Sequence, residues 1–180
     1  FFVGDFNGDG KQEVISQNRT DWSQVHLMVF RSTGSHLALA DRYYGVIQNG
    51  FWTMRRRDNL YVLDFNGDKR SDIAIFNGKD WSIPYLSLLS CTTNATLTGQ
   101  KRYDDNLPGW DLSRNDRFFV CNFDGDADQD LVVYNASDWS TQYLGMLKSD
   151  GVRNLSGTWQ DNWIGAWNLD RKSTRLNSSH

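Results

Sequence analysis

A nonapeptide recurs three times along this 180-residue chain at nearly constant spacing, and no other feature constrains the fold as tightly. Residues 5–13 read DFNGDGKQE, residues 64–72 read DFNGDKRSD and residues 122–130 read NFDGDADQD, 59 and then 58 residues apart. The tripeptide Asp-Trp-Ser keeps the same step, beginning at Asp21, Asp80 and Asp138. A tryptophan closes each unit at Trp52, Trp110 and Trp167, the last displaced by one residue. Three features that share one period mark three equivalent structural units.

Within each unit the apolar residues come in short, strand-like runs. Residues 1–6, 61–65 and 118–123 lead into the acidic nonapeptide, and residues 14–17, 73–76 and 131–134 lead out of it. A third strand is predicted over residues 25–30, 84–89 and 142–147, and a fourth over residues 37–43, 96–103 and 152–160. Composition agrees with strands. Aromatics make up 14% of the chain, Pro occurs twice, and 21 of the 22 acids are Asp, with Glu13 the one Glu. Asp is a poor helix former that suits turns and hard-cation loops.

The expected fold class is therefore all-β, a propeller-type array of four-stranded antiparallel blades. The repeats cover residues 1–59, 60–117 and 118–169, the last incomplete. One such unit cannot bury both of its faces, so the units must pack on one another. Propellers close with about 4–8 blades. Three blades thus predict a fragment of a larger propeller, or, less favoured, an open stack. Residues 170–180 (DRKSTRLNSSH) resemble a translated sequencing-library adapter and are read as a non-native, disordered tail.

The nonapeptides place oxygen donors at alternate positions. Positions 1, 3, 5, 7 and 9 are Asp5, Asn7, Asp9, Lys11 and Glu13 in the first. They are Asp64, Asn66, Asp68, Arg70 and Asp72 in the second, and Asn122, Asp124, Asp126, Asp128 and Asp130 in the third. In calcium loops the first three offer side-chain oxygens and position 7 a backbone carbonyl, which tolerates Lys11 or Arg70. Position 9 adds the last carboxylate. Crowding these charges is costly unless a cation compensates. Gly8, Gly67 and Gly125 at position 4 let the backbone fold over an ion. Gly10 adds a glycine at position 6, where Lys69 and Ala127 predict weaker sites or a different turn. The plain alternative is an Asn-Gly or Asp-Gly hairpin with solvated acids. Threefold recurrence favours calcium, one ion per unit.

These loops resemble the FG-GAP/VCBS family of repeats, whose hallmark is DxDxDGxxD-like text between the first two strands of a propeller blade. The resemblance covers residues 1–169. The literal FG and GAP segments of the integrin α-chain version are absent, so the chain looks closer to the bacterial VCBS type. Arg102-Tyr103-Asp104 and the segment Leu107-Pro108-Gly109-Trp110 are like those of secreted bacterial arrays. The resemblance implies an extracellular or cell-surface, calcium-stabilised propeller used for adhesion, with a glycan or protein ligand and no catalysis. The rival readings are a filament or surface-layer subunit built by head-to-tail stacking, and an accessory region of a secreted polysaccharide-degrading enzyme.

The remaining residues narrow this further. A formal charge of −3 argues against nucleic acid as a partner, and no run approaches the roughly 20 apolar residues of a membrane-spanning helix. No HExxH, GxSxG or phosphate-binding glycine loop occurs, so no enzyme is predicted. Regular recurrence assigns Trp22, Trp81 and Trp139 to blade interfaces over sugar stacking. Trp52, Trp110, Trp159, Trp163 and Trp167 are the candidate ligand-facing tryptophans. Sequons stand at Asn18, Asn94, Asn135 and Asn154, where turn chemistry accounts for Asn as well as glycosylation does. Cys91 and Cys121 read as unlinked thiols, with an inter-unit disulfide as the alternative.

Overall fold

The computed structural model describes residues 1–19, 24–138, 142–160, 163–164 and 167–168. The first sheet is a meander of β1 (Phe2–Gly4), β2 (Glu13–Asn18), β3 (His26–Ser32) and β4 (Leu37–Tyr44). A two-stranded ribbon follows, β5 (Val46–Ile47) with β6 (Trp52–Thr53). The second sheet runs through β7 (Asn59–Leu63), β8 (Asp72–Asn77), β9 (Tyr85–Cys91) and β10 (Leu97–Asp104), and its ribbon is β11 (Asn106–Leu107) with β12 (Trp110–Asp111). The third sheet comprises β13 (Arg117–Cys121), β14 (Asp130–Asn135), β15 (Tyr143–Ser149) and β16 (Leu155–Gln160). The ribbon β17 (Trp163–Ile164) with β18 (Trp167–Asn168) ends the described chain.

All three sheets are antiparallel, and the protein is all-β with propeller-type blades, as the repeat predicts. The ribbons between blades were not predicted. Each has only two residues per strand, too short for an alternation signal.

The middle blade is sandwiched, and β8 shows how. All six of its residues are buried. Strand side chains alternate faces. Ile73 and Ile75 enter a core shared with the first blade, beside Ile15, Val29 and Leu89. Ala74 and Phe76 enter a second core shared with the third blade, beside Leu86, Leu131 and Val133. A strand buried on both faces reads as a near-continuous apolar run, which DIAIFN is after its first residue.

The same contacts recur at both blade junctions. The Ser71 N–H donates to the Asp5 carbonyl at 2.7 Å, and the Gln129 N–H donates to the Asp64 carbonyl at 2.6 Å. The Tyr43 hydroxyl accepts from the Leu97 N–H at 2.7 Å, and the Tyr103 hydroxyl accepts from the Leu155 N–H at 2.6 Å. Trp110 lies so close to β15 that a Cβ on Gly145 would come within 2.5 Å of its ring. Only glycine admits the ring there. Cys91 and Cys121 are both free thiols.

Phe65, at position 2 of its loop, is fully buried between blades, whereas Phe123 at the equivalent position is 53% exposed. Phe65→Ala is expected to cost about 3–5 kcal/mol in denaturant unfolding, the usual range for a buried Phe. Phe123→Ala is expected to stay within about 0.5 kcal/mol of the parent. Equal losses would contradict the sandwich.

Candidate functional site

The three acidic loops connect the first and second strands of their blades, and the two backbone bonds through Asp5 and Asp64 set them side by side. In the first loop Asp5 is drawn inward. Its carboxylate accepts from the N–H groups of Gly8 (2.7 Å), Asp9 (3.1 Å) and Gly10 (2.8 Å). Asn7 Oδ1 then accepts from Asp9 N–H at 2.9 Å, and Asp9 Oδ1 from Lys11 N–H at 2.9 Å. The second loop repeats this. Asp64 accepts from Asp68 and Lys69, Asn66 from Asp68, and Asp68 from Arg70. Successive side-chain-to-backbone turns of this kind are what Asp and Asn favour.

Position 9 has a different place from positions 1 to 7. Glu13, Asp72 and Asp130 are fully buried at the first residue of the outgoing strand or beside it. Glu13 Oε2 accepts from Phe6 N–H at 2.9 Å and Oε1 from Ser32 N–H at 3.3 Å, so it pins the loop to β3. Asp130 does the same between Phe123 (2.8 Å) and Ser149 (2.9 Å). Asp72 Oδ1 takes the Cys91 N–H at 2.9 Å, but its Oδ2 is buried with no hydrogen-bond partner. Burial, reinforced by Asp68 and Asp64 and partly offset by the Cys91 N–H, pushes the Asp72 carboxyl up to about 8.

Position 6 separates the third loop from the other two. Gly10 and Lys69 both adopt left-handed backbone, with φ of 83° and 69°. Ala127 is not among the residues with positive φ, in keeping with the cost of that conformation for a residue bearing Cβ. The third loop therefore turns differently. One carboxylate oxygen each of Asp124, Asp126 and Asp128 lies within 4.8 Å of the others. Asp128 Oδ1 is buried without a hydrogen-bond partner. Burial first, then the neighbouring Asp126 carboxylate, pushes the Asp128 carboxyl up to about 7. Asn122 at position 1 caps the turn, accepting from Gly125 N–H and donating to the Asp126 carbonyl.

The first two loops carry their own counter-charges at position 7. Lys11 pairs with Asp9 at 3.2 Å, and Arg70 pairs with Asp68 while donating to the Cys91 carbonyl at 2.9 Å. In the third loop position 7 is the acid Asp128, and the cation within reach is Lys148, 2.5 Å from Asp124. Among the described residues the third loop is thus where carboxylates converge.

The tryptophans require a correction. Trp52 and Trp110 do not face a ligand, because they are 2% and 7% exposed. Each indole N–H donates to a buried carboxylate six residues on, Trp52 to Asp58 at 2.8 Å and Trp110 to Asp116 at 3.1 Å. The other oxygen of each carboxylate accepts from an asparagine amide, Asn77 at 2.6 Å and Asn135 at 2.7 Å. Those amides also donate to the aspartates of Asp-Trp-Ser, Asp80 and Asp138, each at 3.0 Å. Burial pushes the Asp58 and Asp116 carboxyls above the usual carboxylate range. This Trp–Asp–Asn–Asp chain staples the second and the third blade to the segment before each. The recurrence of Asp58 and Asp116 six residues after a repeated Trp was the signal for it in the sequence.

Trp81 is half-buried, with the Arg55 guanidinium 4.3 Å above its ring. Trp22, Trp139 and residues 170–180 lie outside the described residues, as do the side chains of Trp159, Trp163 and Trp167. Asn135 is fully buried in the staple, so it is no glycan acceptor in the folded chain.

Stacked four-stranded antiparallel sheets, each with an acidic loop between its first two strands, define a propeller-type blade repeat. Residues 5–75, which span the first two loops, match the FG-GAP-like repeat. No curated protein matches the chain.

Asn135→Ala is expected to lower stability by about 1–3 kcal/mol, because it strands the acceptors on Asp116 and Asp138. Asn94→Ala, at an exposed sequon, is expected to change it by less than about 0.5 kcal/mol. Urea unfolding of the two variants separates a structural Asn from a surface one.

Proposed function

We propose that the chain is a non-catalytic extracellular binding module whose blades are held by calcium, and that Asp124, Asp126 and Asp128 of the third loop hold an ion. The buried, unpartnered Oδ1 of Asp128 beside two further carboxylates carries this reading. Three carboxylates this close repel one another unless a proton or a cation lies among them. The donor set is entirely oxygen, and a loop rich in carboxylates suits calcium better than the rigid octahedron magnesium demands. The ion supplies the missing positive charge. The residues of the chain do the rest: Asp130 fixes the loop to β15, and Asn122 caps its turn.

The proposed ions in the first two loops are held by Asp5, Asn7 and Asp9 and by Asp64, Asn66 and Asp68, with Lys11 and Arg70 swung clear of the carboxylates they pair with. Those pairs compete with an ion, as Lys148 on Asp124 does in the third loop, where Asp128 adds a further carboxylate. The match to the FG-GAP-like repeat supports adhesion or binding of a glycan or protein as the role of the module, displayed at the outer surface of the cell. With Trp52 and Trp110 committed to the interior, any ligand contact falls to the turns.

At about 10 mM calcium, a site of the extracellular class with Kd of about 10⁻⁴–10⁻³ M stabilises by about 1.4–2.7 kcal/mol. Calcium is expected to raise the melting temperature relative to chelator, and Asp128→Asn to remove most of that rise. An Asp128→Asn variant that calcium stabilises over chelator as much as it does the parent would place the ion elsewhere. A parent indifferent to calcium would end the proposal.

A further inference from the structure

The end of the sheets opposite the acidic loops is basic. Strands β7 and β13 are entered from residues 55–57 (Arg-Arg-Arg) and 113–115 (Ser-Arg-Asn), and they are left through the acidic loops at Asp64 and Asn122. Between the second and third blades this basic end holds a cavity of about 520 Å³, inside the roughly 300–1,000 Å³ range of small-ligand sites. Lys79, Arg114 and Arg117 line it together with Asn59, Asn115 and Ser137, and all three cations are exposed. Both blades that form the cavity are described. Arg117 stands where the middle blade has Asn59, which is exposed with a blade on either side, so the opening does not depend on what flanks these units.

Neutral groups hold these cations in place and leave their charge unopposed. Arg114 donates to the Gly78 carbonyl at 3.4 Å and the Ser82 carbonyl at 2.7 Å, and Lys79 donates to the Asn115 amide oxygen. Among the described residues, none of Lys79, Arg114 and Arg117 forms an ion pair. Gly78 admits the segment that carries Arg114, since a Cβ there would collide with the Arg114 carbonyl. The acids of this junction are already engaged. Asp116 also lines the cavity, but it is 5% exposed and its oxygens accept from Trp110, Ser113 and Asn135. Asp138 accepts from the Ser113 hydroxyl at 2.6 Å and the Asn115 N–H at 2.7 Å.

We propose that this cavity binds the acid group of an anionic glycan, a carboxylate or sulfate carried on a sugar, through Lys79, Arg114 and Arg117. The planar guanidinium fork matches paired acid oxygens, and the lysine adds a point charge. The wall favours a sugar over an acidic peptide. Peptide and protein contacts draw most of their affinity from aromatic and aliphatic anchors sunk in pockets. Here Phe76 is 2% exposed and Tyr134 half-buried, while the exposed wall is mainly cations, an amide and a hydroxyl, groups that suit a polyhydroxylated ligand. The assignment rests on the reading of the chain as a binding module and names the chemistry of its ligand; the proposed ions play no part in it.

The test is titration calorimetry of the full chain with dextran sulfate, carboxymethyl dextran, neutral dextran and an oligoglutamate peptide. One sugar backbone thus carries sulfate, carboxylate or no charge. At least one charged dextran is expected to bind, more weakly as salt rises, and the one that binds identifies the acid group. Lys79→Gln, Arg114→Gln and Arg117→Gln should each weaken that binding about tenfold, the worth of one charge-assisted hydrogen bond. Arg31→Gln, at an exposed position on β3, should leave it unchanged. Lys79 and Arg117 make no contact with the backbone, so their variants are expected to melt with the parent even if Arg114→Gln does not fold. Binding of neutral dextran that none of the variants alters would overturn the anionic site and leave the binding module standing. Charged dextrans that do not bind, oligoglutamate that binds more tightly than either, or an equal loss in Arg31→Gln would each overturn the proposal. Calcium stabilisation is read from melting temperature, so either result can fail without the other.

Discussion

A four-stranded sheet of these sequences has two apolar faces, and the fold follows from the need to cover both. In β8 the requirement is met completely, with alternate residues sent into separate cores. Stability is therefore held between units, in the manner of repeat proteins, where each unit depends on its neighbours. The exposed faces of the first and third blades follow from the same requirement at the ends of the described chain.

Apolar packing alone would let the sheets slide, and buried polar groups set their register. The Trp–Asp–Asn–Asp staple fastens each blade at one rim, while Glu13, Asp72 and Asp130 fasten the acidic loops at the other. Between them, Tyr43 and Tyr103 cap the start of the fourth strand in the following blade. The carboxylates of Glu13, Asp58, Asp116 and Asp130 are buried and each accepts at least two hydrogen bonds from N–H groups, which is the condition for burying a charge without a large penalty. Asp72 and Asp128 depart from it, each with an oxygen left unpartnered. Both belong to acidic loops, so the unmet demand gathers where a cation is proposed.

The acidic loops also show how one residue redirects a site. Lys69 accepts the left-handed conformation that Gly10 takes freely, and the second loop keeps the shape of the first. Ala127 does not, and in the third loop, where position 7 is also an acid, Asp124, Asp126 and Asp128 come together. Read as a pattern of donors, the loop with two glycines looked best formed. In the folded chain Lys11 and Arg70 pair with carboxylates of the first two loops, and Asp128 adds a carboxylate to the third.

Period and composition were enough to determine the three units, their four strands and the location of the acidic loops. A repeat of 59 and 58 residues leaves few ways to pair short apolar runs, and strand alternation is local. The short ribbons escaped notice because two residues carry no period. Trp52 and Trp110 were misplaced because a Trp after a Gly-containing turn looks the same in sequence whether it points to solvent or inward. The six-residue step from Trp52 to Asp58 recurs in the sequence from Trp110 to Asp116, but only the tertiary structure brought the Asn77 and Asn135 amides onto those carboxylates. Only it distinguished Phe65 from Phe123, two residues in the same motif, one buried against the third blade and one 53% exposed. Local pattern determines what each unit is; which of its faces is covered depends on contacts between residues far apart in the chain.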